Sequence, residues 1–142
     1  MKKYIAILLL SLLFIAAPAC RRASDNGKID GFWKITEIRY TTDNSVVNPP
    51  NRYIGIQLEL LQLNMGSPGP ELTAVLNYHK GDAQIGADFR YNPTDAQLAQ
   101  YGFVADASSA PGTKYCILDI EHVSSSRMVL RSPIAVITCR KY

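Results

Sequence analysis

Apolar residues along this chain recur mostly at every second position, the period of a strand with one buried face. In ELTAVLNYH, residues 71–79, Leu72, Ala74, Leu76 and Tyr78 share one face while Thr73, Asn77 and His79 share the other. QIGADFRY, residues 84–91, repeats the scheme with Ile85, Ala87, Phe89 and Tyr91, and the intervening KGD at 80–82 reads as a hairpin turn. The run RYIGIQLELLQLNM at 52–65 is long for a strand, and its apolar phase switches from Ile54, Ile56, Leu58 and Leu60 to Leu61, Leu63 and Met65. Such a switch predicts a β-bulge that bends one strand around a barrel. The C-terminal third continues as a meander: KYCILDIEHV, a serine turn at 124–126, RMVLRS, a turn at Ser132 and Pro133, then IAVITCRKY.

One helix interrupts this pattern. Thr94, Asp95, Ala96 and Gln97 form a capping box behind Pro93 and predict a short helix ending before Gly102. The stretches 41–52 and 104–114, rich in Asn, Ser, Pro and Gly, read as loops.

The N-terminus follows a different rule. Lys2 and Lys3 precede an apolar run of thirteen residues from Ile5 to Ala17, too short for a membrane span of about 20 residues but the length of a secretory signal core. AAPAC at 16–20 ends in small residues before Cys20, so it resembles a bacterial lipoprotein signal in which Cys20 is lipidated and becomes the mature N-terminus. Ala17 and Pro18 depart from the usual pattern there, and ordinary secretion with cleavage nearby stays open as the alternative. The domain reading is then a signal at 1–19, a polar tether at 20–29 and a single domain at 30–142. With Lys2 and Lys3 removed, fifteen basic residues fall to thirteen against twelve acidic ones, a formal charge of +1. That balance is not a nucleic-acid footprint.

Gly31, Phe32 and Trp33, the last being the only tryptophan, spell the G-x-W signature that opens the first strand of lipocalins. The chain resembles the lipocalin-like domains of bacterial envelope lipoproteins. The resemblance implies an all-β fold, an antiparallel up-and-down barrel of about eight strands with one short helix. It also implies that Trp33 closes the bottom of the barrel under a basic residue near the end of the last strand. Arg140 fits that role, with Lys141 the rival.

Strand parity tests this independently, because a closed meander must bring its last strand antiparallel to its first. Seven strands are clear, so closure needs one more, and GFVADA at 102–107 is the place left for it. On that count the 41–52 loop, the 80–82 turn, the 107–113 loop and Ser132–Pro133 share one open rim. The 64–70 turn, the helix and the serine turn share the other with Trp33 and Arg140. Candidate residues lining a pocket near the open half are Tyr40, Ile56, Leu58, Leu76, Tyr78, Ile85, Ala87 and Leu118. Two readings of them are open, an apolar site oriented by tyrosine hydroxyls and plain core packing.

Catalytic chemistry has little support. His79 and His122 lie on separate strands with no second imidazole or cysteine at ligand spacing, so neither a metal site nor a cofactor is expected. No nucleophile elbow or glycine-rich phosphate loop is present. Two functional classes follow: a lipid-tethered barrel holding a small hydrophobic molecule in the bacterial envelope, on the periplasmic side or at the outer membrane, or a non-catalytic module whose filled barrel contacts an envelope protein. Finally, an even pair of cysteines after Cys20 in an oxidising envelope invites a Cys116–Cys139 disulfide, whereas the strand register argues for two unpaired thiols. The meander register separates them by seven or eight residues, over 20 Å at about 3.3 Å per residue, against roughly 7 Å tolerated by a disulfide.

Overall fold

The computed structural model describes residues 26–64 and 71–142. The signal expected at 1–19, the lipidation expected at Cys20 and all but the first residue of the turn expected at 64–70 lie outside the described residues. Among the described residues nine strands form: β1 (Gly31–Tyr40), β2 (Val46–Val47), β3 (Tyr53–Gln57), β4 (Leu60–Asn64), β5 (Glu71–Asn77), β6 (Gln84–Phe89), β7 (Lys114–Val123), β8 (Arg127–Arg131) and β9 (Ala135–Lys141). From β3 to β9 each strand pairs antiparallel with the next, and both β3 and β9 pair with β1. The return pairing runs from Trp33 opposite Lys141 to Tyr40 opposite Ala135 and closes an eight-stranded barrel. Closure leaves no barrel strand at an open edge. The extra strand, β2, lies beside the upper half of β1 through Ile38 opposite Val47 and Arg39 opposite Val46.

Eight is the even number that parity demands, but the eighth strand is not at 102–107. That segment carries no strand, and Gly102 turns the chain with a φ of +78°. The missing strand comes from 52–65, which folds back on itself: Leu58 and Glu59 form a two-residue turn between β3 and β4, with Gln57 opposite Leu60. Ile54 and Ile56 on one arm and Leu61 and Leu63 on the other are all buried in the same core. The switch in apolar phase therefore records a hairpin and not a bulge. Nothing marked the turn, because its left-handed position, which usually takes Gly or Asn, is held by Leu58 at a φ of 55°.

Bulges do occur, in β1 and β7. The register shifts between Ile35 and Glu37 and again between Ile120 and His122. In β1 the consequence is visible as burial, since Trp33 and Ile35 face inward, and so, three residues on, does Ile38.

The hairpin also redistributes the ends of the barrel. Splitting 52–65 reverses the direction of the two strands that follow, and losing the strand at 102–107 restores it for β7. The 80–82 turn thus moves to the end occupied by Trp33, with the Leu58–Glu59 and serine turns. The helix moves the other way. As α1 (Asp95–Ala99), it joins the 41–52 and 107–113 loops and Ser132–Pro133 at the opposite end. Its start follows the sequence: the Gln97 amide donates to Thr94 Oγ1 at 3.1 Å and the Thr94 amide to Gln97 Oε1 at 2.8 Å.

Candidate functional site

At one end of the barrel the base is built around Trp33. Gly31 adopts a φ of +137°, and a Cβ there would stand 2.4 Å from Lys141 Cε. The absent side chain makes room for the Lys141 stem, whose Nζ lies 4.7 Å from the centre of the indole. Trp33 Nε1 donates to the Ile29 carbonyl at 2.8 Å. Ile29 ends a single 3-10 turn, Gly27–Ile29, and is fully buried. Asn26, also buried, donates from Nδ2 to the Leu58 carbonyl at 2.8 Å and to Asp30 Oδ1 at 2.6 Å. Residues 26–29, read as the end of a tether, are therefore part of the packed body. The basic residue on the indole is Lys141 and not Arg140. Ala135, Ile137 and Cys139 are the inward face of β9, so the alternation carries Lys141 inward and leaves Arg140 exposed.

At the opposite end, among the described residues, the segment from α1 to Phe103 packs into the barrel. Leu98, Tyr101 and Phe103 are buried in the core, and Phe103 meets Phe89 edge-on with ring centres 6.3 Å apart. Two hydroxyls latch this segment, one at the end of β1 and one just after β8. The Tyr40 hydroxyl donates to the Ala99 carbonyl at 2.8 Å, and Ser132 Oγ donates to the Gly102 carbonyl while accepting from the Ala135 amide at 3.0 Å. A Cβ on Gly102 would meet Ile137 Cγ1 at 2.9 Å, so only glycine lets the chain lie this close to β9. Burial raises the pKa of both Tyr40 and Tyr101, and the Arg52 charge opposes it. The Arg52 guanidinium lies 5.7 Å from the centre of the Tyr101 ring.

The eight candidate lining residues do not form a calyx at an open mouth. Tyr40 alone lies at the covered end. Ile85, Ala87 and Leu118 have no solvent exposure, and Ile56 and Leu76 have 2% and 5%, so all five belong to the core. They are packing residues. Leu58 is 42% exposed on its turn, and Tyr78 is half-buried with its hydroxyl accepting from the Gly81 amide at 3.2 Å. Leu58, Leu76 and Tyr78 do come together, on the rim of a groove of about 950 Å³ at the Trp33 end. Asn77, His79 and Lys80 supply its polar side.

Little else gathers reactive groups. The cysteines Cys116 and Cys139 are both buried and free, as the register argument expects: Cys139 lies opposite Met128, which lies opposite Val123, whereas Cys116 lies opposite Ala87. Burial pushes each thiol up to about 12. His79 is an exposed turn residue 3.5 Å from Asp82 Oδ2. Among the described residues no three His, Cys, Asp or Glu side chains are grouped to hold a metal, and no helix is long and apolar enough to cross a membrane.

A closed up-and-down barrel of eight strands, based on a tryptophan beneath a basic side chain and carrying one short helix, defines a lipocalin-like protein. The chain belongs to the lipocalin-like domain family, whose profile matches residues 11–142. It is similar in fold to a lipocalin-like protein from Bacteroides uniformis, with a TM-score of 0.59 and 18% identity over 82% of this chain and 100% of that one. It is also similar to an uncharacterized protein from Bacteroides eggerthii, with a TM-score of 0.55 and 19% identity over 80% and 98% of the two chains. No curated protein matches the chain.

Proposed function

We propose that this chain is a lipid-tethered protein of the bacterial envelope, held through Cys20, whose filled barrel acts as a non-catalytic interaction module. The observation that carries the reading is the fate of the expected pocket: five of its eight residues are core, and α1 with Tyr101 and Phe103 covers the mouth. A filled barrel offers a partner its outer wall and loops. Two measurements test this. Solvent extraction and native mass spectrometry of the purified protein should find no stoichiometric small molecule, and a co-purifying ligand would refute the filled-barrel reading. Metabolic labelling with a fatty-acid analogue should label the protein, and Cys20→Ser should abolish the label.

A second reading, a site for a small hydrophobic ligand, is favoured by one observation. Leu58, Leu76 and Tyr78 line a groove of about 950 Å³ beside the Trp33 base, the size range of ordinary ligand sites. It predicts a ligand that is lost on Leu76→Arg.

A further inference from the structure

One level of the outer wall carries an arrangement that barrel stability does not explain. Lys34 on β1 lies opposite Arg140 on β9, and Arg140 lies opposite Arg127 on β8. Their neighbours Trp33, Ile35, Cys139 and Met128 face the core, so all three cations project from the same outer face. Among the described residues no carboxylate is within ion-pair distance of any of them. Like charges placed directly opposite one another destabilise a sheet, yet this one stacks three in a row.

The same row continues into aromatics. On the other side of Lys34 stands Tyr53 of β3. Tyr53 stacks on Phe32 with ring centres 5.0 Å apart and planes 10° from parallel, and Tyr142 meets both edge-on at 5.7 and 5.9 Å. Phe32 and Tyr142 are 42% and 79% exposed despite this packing. Adjacent strands are about 4.8 Å apart, so the four residues of the row span roughly 14 Å of wall. Aromatic rings beside unpaired basic groups match the boundary of an anionic bilayer, where rings sit at headgroup depth and cations meet phosphates.

The position of the chain's start selects the occupant. Asn26 is held against Leu58, the residue following β3, so the segment leading back to Cys20 departs from the end of the barrel that carries this patch. Five residues separate Cys20 from Asn26, six steps of the chain with a reach of at most about 22 Å. We propose that the wall formed by Lys34, Arg127 and Arg140 with Phe32, Tyr53 and Tyr142 docks on the surface of an anionic lipid bilayer, holding the barrel against the membrane that its tether already reaches. This rests on the reading of Cys20 as a lipid anchor and names the bilayer as the module's partner.

The test uses the full lipidated protein in vesicles of phosphatidylethanolamine and phosphatidylglycerol containing lipids brominated near the headgroup. Tyr142→Trp places an indole on the patch, and Tyr91→Trp places one on a 90% exposed residue at the far end of the barrel. The first should lose most of its added emission and the second should not. Combined Lys34→Gln, Arg127→Gln and Arg140→Gln should restore the emission, since each cation removed weakens surface attraction roughly fivefold. Circular dichroism on the same samples confirms that the variants remain folded. Flotation of the protein with vesicles but equal emission from both indoles would overturn docking and leave the anchor standing. Failure to float would overturn both. Retention on polyglutamate through the same three cations, without quenching in vesicles, would make an acidic polypeptide the occupant and overturn the bilayer.

Discussion

Lys141 lies over Trp33 with its ammonium 4.7 Å from the ring centre, and the side chain that Gly31 lacks is what lets the lysine stem pass. Three positions of one signature thus act as a single device at the base of the barrel. Lys141→Ala should cost about 0.5 to 2 kcal/mol, the range of a cation on an aromatic face, and shift tryptophan emission. Arg140→Ala should leave the emission unchanged. Gly31→Ala should cost about 1 to 3 kcal/mol, because the backbone is held at a φ that an L side chain rarely adopts. Denaturant unfolding followed by Trp33 fluorescence measures all three, and a shift with Arg140→Ala but not Lys141→Ala would reverse the assignment.

The covered mouth depends on two hydroxyls, Tyr40 on the Ala99 carbonyl and Ser132 between the Gly102 carbonyl and the Ala135 amide. Ser132→Ala strands a buried acceptor and should cost about 1 to 3 kcal/mol. Tyr40→Phe, at a half-buried site, should cost nearer 1 kcal/mol. In both variants amide exchange should accelerate over 94–103 more than in β3 or β4. Uniform acceleration would mean that this segment opens only with the whole barrel.

Leu58 is strained for a leucine, since a left-handed backbone costs a residue with a Cβ roughly 1 to 2 kcal/mol. Leu58→Gly should therefore raise the melting temperature, with a gain of up to about 1 kcal/mol. A lower melting temperature would show that the partly exposed side chain contributes more packing than the backbone loses in strain.

Burial keeps both thiols protonated far above their usual range. In the unfolded chain they ionise near 9, and in the folded barrel near 12. Between these values the unfolded state binds fewer protons, so this stabilising contribution is complete below about pH 9 and declines towards pH 12, by at most about 1.4 kcal/mol per pH unit for each thiol. Cys116→Ala with Cys139→Ala should flatten that limb of a stability profile. In the native protein iodoacetamide at pH 8 should label neither cysteine, and after denaturation without reductant it should label both.

Sequence alone determined what depends on local pattern. Period-two burial made the protein all-β, the capping box at Thr94–Gln97 set the start of α1, and G-x-W marked the base. Parity required an even number of strands before any was located. The C-terminal register placed Cys116 and Cys139 too far apart to bond, because short turns leave adjacent strands little freedom to slip.

The tertiary structure decided everything that depends on which end of the barrel a residue occupies. One unmarked turn at Leu58–Glu59, a leucine where the backbone favours glycine, reversed two strands and carried Ile56, Leu58, Leu76, Tyr78 and Ile85 towards Trp33. It also sent α1 to the mouth, turning the expected pocket lining into core. Alternation on β9 likewise chose Lys141 over Arg140 at the indole, since neighbouring basic residues look equivalent until the inward face is fixed by Cys139. The row of Tyr53, Lys34, Arg140 and Arg127 was invisible for the same reason. Its members lie on four different strands, up to 106 positions apart in the chain, and only barrel closure sets them side by side.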